Sequence, residues 1–158
     1  MTGRGGWYHL RTSARSAVTG IMVVLSAGLL YGTLVHWVDL IVYGWQPRPD
    51  FGTPANVIWT SLAVLDPLAL ALLWPTRTRR VGVILTLLIV TVDVPLNLWA
   101  QRRTGTEWPL GGIAQPLTAF ALVAVAGAPL LWRSVTDLGS GAPAPRRTVT
   151  GKGIRRPR

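Results

Sequence analysis

Four long apolar runs, separated by short polar segments, organise this sequence. They cover about residues 17–43, 55–74, 81–100 and 110–132. Each has about 20 residues or more, enough as a helix to cross roughly 30 Å of hydrocarbon. One water-soluble core does not need four such runs, and 158 residues are too few for two large domains. The pattern predicts an all-α fold, a four-transmembrane-helix bundle in antiparallel up-down-up-down order. The first run is too long for the apolar part of a signal peptide, and no clear small-residue cleavage site follows it. It is read as a retained helix.

The punctuation agrees. A loop of Gly, Pro, Arg and Asp spans Gly44 to Pro54, and Pro75 stops the second run. Thr76 to Arg80 form a short basic turn, and Gln101 to Pro109 a polar loop. Residues 1–16 form a basic N-terminal segment, and 133–158, rich in Gly, Pro and Arg, read as a disordered tail. Trp45, Trp59, Trp74, Trp99, Trp108 and Trp132 all fall near predicted helix ends, where indole rings favour the membrane interface.

Composition sharpens this picture. Only 14% of residues are charged, against about 25% in a typical soluble domain. The net charge of +10 invites a nucleic-acid reading, but its distribution argues for topology instead. Arg4, Arg11 and Arg15, then Arg77, Arg79 and Arg80, then the basic tail would share one side of the membrane. The alternate loops carry only Arg48, Arg102 and Arg103. By the positive-inside bias, both termini are expected in the cytoplasm. The expected location is the plasma membrane and the expected partner the lipid bilayer, with no specific nucleic acid. The absence of cysteine excludes disulfides, thiolate nucleophiles and cysteine metal sites.

The chemistry lies in the polar residues inside the apolar runs. Asp39, Asp66 and Asp93 are three of only six acidic residues, joined by His36, Asn97 and, early in the last run, Gln115. A carboxylate at the centre of a membrane helix costs about 2.5–3.5 kcal/mol on insertion scales, so such residues usually face a bundle interior and mark a site. His36 and Asp39 are three apart and share a helix face, as do Asp93 and Asn97, four apart. Their depths predict a polar pocket in the outer half of the bundle. In that pocket His36 would act as a base oriented by Asp39, with Asp93 as a further catalytic group. Asp66, Asn97 and Gln115 would bind substrate, Asn97 together with Asp93 positioning it. A cofactor is either lacking or a divalent metal, which one histidine and three carboxylates could hold, although the spacing matches no recognised metal motif. The structural alternative is that these groups bond neighbouring helices or satisfy backbone freed at Asp66-Pro67.

The end of the third run reads Val90-Thr91-Val92-Asp93-Val94-Pro95-Leu96-Asn97. This resembles the Val-Pro-(Leu/Ile)-Asn element of the anthrone oxygenase-like family of small four-helix membrane proteins. Val94, Pro95, Leu96 and Asn97 match, and Asp93 stands where the family usually carries Asn. The stretch Gly111 to Thr118 lacks the His and the Arg-Thr pair that members often carry there. The resemblance implies an oxygenase-type enzyme that acts on a hydrophobic aromatic small molecule without a conventional cofactor. Two other classes remain open. One is a non-enzymatic component that binds or transports a lipophile or proton, for which the small-residue pair Gly28 and Gly32 offers a homo-oligomer interface. The other is an accessory membrane protein working through its basic tail on anionic lipid.

Overall fold

The computed structural model describes residues 6–105 and 114–139, with side chains over 15–105 and 116–135. Four helices account for almost all of it: α1 (Gly6–Tyr43), α2 (Gly52–Leu73), α3 (Arg79–Thr104) and α4 (Ala114–Gly139). A short 3-10 turn, Pro49–Phe51, precedes α2.

Local chemistry sets the ends. The α1 helix stops where Gly44 takes φ +73°, its N–H donating to Leu40 O at 3.0 Å. Gly105 ends α3 in the same way, at φ +61° and 3.1 Å from Gln101 O. Glycine enters this left-handed region without the Cβ penalty, and the bond satisfies a terminal carbonyl. Arg102 and Arg103 in the last turn of α3 complement the negative end of its dipole. Helix α3 therefore absorbs Gln101 to Thr104, which sequence assigns to the following loop.

Two other boundaries differ. Helix α1 starts at Gly6 and takes in basic residues Arg11 and Arg15, since no proline interrupts them. Helix α4 continues past Trp132 to Gly139, and no Gly or Pro intervenes between Leu130 and Leu138. The expected start of the fourth helix near residue 110, and positions 140–158 of the tail, lie outside the described residues.

The helices form a closed ring in which α1 packs on α2, α2 on α3, α3 on α4 and α4 back on α1. Contacts run antiparallel along each seam. Trp45 and Trp74, at opposite ends of the α1–α2 pair, bond Thr60 (3.2 Å) and Ser26 (3.1 Å). Small residues bring the backbones together. A Cβ added at Gly82 would lie 2.7 Å from the backbone of Leu72 and Leu73, and one at Gly127 2.6 Å from Ile21 Cγ2. An apolar core of Leu25, Leu29, Leu73, Val83, Ala124 and Leu131 fills the end nearest the α2–α3 turn. There Arg79, itself buried, donates to Leu73 O, Trp74 O and Ser134 Oγ, each at 3.2 Å. It caps the last carbonyls of α2 and ties α3 to α4.

The distribution of polarity is inverted relative to a soluble protein. Val23, Leu34, Ile41, Val57, Val64, Leu88 and Leu122 face outward, while His36, Asp39, Asp66, Asp93 and Asn97 are buried. All four helices are long and apolar enough to cross a membrane, with windows of mean hydropathy from 1.5 to 2.1. A surface of this kind is stable against lipid and not against water. The chain reads as a multi-pass membrane protein.

Candidate functional site

The polar residues of three helices meet around one cavity of about 390 Å³. It lies towards the end of the bundle where the α1–α2 connection sits and α3 ends. Helix α1 contributes His36 and Asp39, α2 contributes Asp66, and α3 contributes Asp93 and Asn97. Tyr31, Phe51, Trp59 and Phe120 supply aromatic walls. The size falls in the range of small-molecule sites, roughly 300–1,000 Å³.

Gly28 and Gly32 explain how the space arises. A Cβ at Gly28 would collide with the Phe120 ring, and one at Gly32 with the Asp66 carboxylate. The close approach at both glycines is thus made within one chain. At Gly32 it admits a carboxylate to the bundle interior, and at Gly28 it seats the aromatic wall.

The pairing differs from the one that helix spacing predicts. His36 Nε2 lies 3.9 Å from Asp66 Oδ2, across the α1–α2 seam. Asp39, expected to orient His36, faces Arg48 instead, with Oδ2 3.7 Å from Nη2. Sharing a face of α1 brings His36 and Asp39 to the same cavity, but the neighbouring helix and loop choose their partners. Asp93 and Asn97 do pair on α3. The Asn97 amide donates to Asp93 Oδ1 at 2.8 Å and to Asp93 O at 2.9 Å. Gln115 belongs to the first turn of α4, and its side chain lies outside the described residues.

Arg48 and Asn56 are the residues that sequence reasoning missed. Asn56 is 2% exposed and holds the loop before α2. Its Oδ1 accepts from Arg48 N at 2.8 Å, while its Nδ2 donates to Arg48 O at 2.7 Å and to Gly52 O at 2.9 Å. The clamp fixes the backbone of Arg48, whose guanidinium sits 5.6 Å from the Trp59 ring centroid and beside Asp39. An Arg in a loop with a Trp at the start of the next helix was the available signal. Trp59 is accordingly not an interfacial ring at a helix end. It is buried, edge-on to His36 at 6.2 Å between centroids, because α2 begins at Gly52 and carries it a further turn into the bundle.

Several buried polar atoms here have no hydrogen-bond partner among the described residues: His36 Nδ1, Asp39 Oδ2 and Trp59 Nε1. Leaving such atoms unmade costs about 1–3 kcal/mol each. Their grouping around one cavity marks a place where a polar ligand atom would be welcome. No three His, Asp or Glu side chains among the described residues stand close enough together to hold a metal ion. The arrangement offers an imidazole beside a carboxylate, a second carboxylate steadied by an amide, and aromatic surface. That set suits proton transfer on an apolar molecule. Comparison with family models, curated proteins and solved structures finds no match to this chain.

Proposed function

We propose that the cavity binds a hydrophobic, aromatic small molecule and that His36 transfers a proton from it. The observation that carries this reading is the His36–Asp66 pair, 3.9 Å apart in a cavity with aromatic walls. With Nε2–H directed towards Asp66, the lone pair of Nδ1 is left for the substrate, and no described protein group competes for it. Asp66 stabilises the imidazolium that forms, and Asp93, held by Asn97, positions a polar substituent of the substrate. By the distribution of Lys and Arg, the cavity end of the bundle faces away from the cytoplasm.

The Val94-Pro95-Leu96-Asn97 resemblance extends this reading to an oxygenase. A ring methylene flanked by aromatic rings loses a proton to His36, and dioxygen oxidises the resulting carbanion. The methylene becomes a carbonyl, and one dioxygen yields that carbonyl oxygen and one water. Enough of the negative charge is delocalised over the rings for the chain's own base to suffice.

The test uses full-length protein in nanodiscs, supplied with anthrone and dioxygen, with oxygen uptake as the readout. His36→Ala should slow turnover by about a hundredfold, since a general base contributes roughly 10²–10⁴. Equal uptake by parent and variant would remove His36 from the chemistry. A parent that binds anthrone with no uptake would leave a binding or transport protein in place of an enzyme.

A further inference from the structure

The balance of donors and acceptors in the cavity is uneven. Asp39 has Arg48 beside it, and one oxygen of Asp93 accepts from Asn97. Asp66 is buried at 3% exposure, and the basic group paired with it is the neutral His36 imidazole at 3.9 Å, beyond hydrogen-bond reach. The lining cation Arg48 is engaged at the loop by Asp39 and the Trp59 face. The Asp66 carboxylate, for which Gly32 makes room, thus lines the cavity with no hydrogen-bond donor in reach among the described residues. The rings of Tyr31, Phe51, Trp59 and Phe120 line the same cavity. Aromatic faces beside an unneutralised carboxylate attract positive charge, the more strongly where water is excluded.

We infer that the cavity also accepts lipophilic amines and holds them more tightly than neutral molecules of the same shape, the ammonium group set against Asp66 and Asp93 and the apolar body against the aromatic walls. The inference rests on the reading of the cavity as a small-molecule site and adds the charge of the ligand. A neutral lipophile of the same shape would fill the apolar part and leave Asp66 without a donor. A carboxylate-bearing lipophile would meet repulsion from two sides. The buried His36 Nδ1, without a described partner, gives the amine a second anchoring atom.

The test is equilibrium dialysis of naphthylmethylamine and of naphthylmethanol against the full chain in nanodiscs, with uptake by empty nanodiscs subtracted. The two probes share a ring system and differ in charge. The parent should hold the amine about tenfold more tightly than the alcohol, the size expected of one charge-assisted hydrogen bond. Asp66→Asn, which keeps shape and volume, should erase that preference while the alcohol still binds. Asp93→Asn serves as the second variant and should reduce the preference in part. Equal affinity of the parent for both probes would overturn the inference and leave the cavity reading intact. So would a preference that survives in both variants. Binding of neither probe would overturn the inference together with the cavity reading.

Discussion

At the residue scale, the site depends on one side chain that makes no contact with the chemistry. Asn56 uses both ends of its amide to hold Arg48 and one end to hold Gly52. Replacing it by Ala leaves buried donors and acceptors of the loop unmade, a cost of about 2–3 kcal/mol. Asn56→Ala should lower the thermal midpoint and detach Arg48 from Trp59 and Asp39. Asn56→Asp keeps the bond from Arg48 N but turns an acceptor towards two carbonyls, so it should also destabilise. A melting curve of either variant superimposable on the parent's would contradict the clamp. The polar residues around the cavity were legible in the sequence, because an Asp or His in an apolar run stands out by itself. Asn56 was not, since it lies at the edge of a run where polar residues are ordinary. Nor was the partner of His36. Spacing along one helix identifies a face, and only the packing of α2 beside α1 puts Asp66 rather than Asp39 next to the imidazole.

At the scale of elements, the helix seams are set by small residues and the ends by glycine and arginine. The existence and order of four helices followed from the apolar runs. The ends of α3 and α1 did not, because Arg and Gln are good helix formers and a helix does not stop where hydrophobicity stops. At the α2–α3 seam the close approach is between two backbones. At Gly82 an added methyl meets backbone, which cannot rotate aside as a side chain can. Gly82→Ala should therefore separate α2 from α3 near the turn and cost about 1–3 kcal/mol, read as a lower midpoint in detergent. The same change at Gly20, which faces nothing within 4 Å, should leave the midpoint unchanged or raise it slightly. If both variants melt alike, close packing does not set this seam.

At the scale of the whole molecule, the protein divides into two zones along the bundle. The end near the α2–α3 turn is packed with leucine and closed by Arg79. The other end holds the cavity and, among the described residues, all the buried ionisable side chains but Arg79. Along the described spans the outer surface is largely apolar, so a lipophile dissolved in the membrane reaches this protein at high local concentration. Tyr31 is 57% exposed and also lines the cavity, placing one wall at the bundle surface. The basic surface charge read from sequence bears on orientation, and the cavity follows from the packing of four helices that no single run reveals.

The central claim is that an aromatic molecule occupies the interior of this bundle, and photolabelling tests it most directly. A naphthalene bearing a diazirine would be irradiated with the protein in nanodiscs, and the labelled positions read by peptide mass spectrometry. Labels are expected at cavity residues such as Tyr31, Trp59 and Phe120, suppressed by excess unlabelled probe. Labels confined to lipid-facing positions such as Leu34, Ile41 and Leu122, unchanged by competitor, would contradict it.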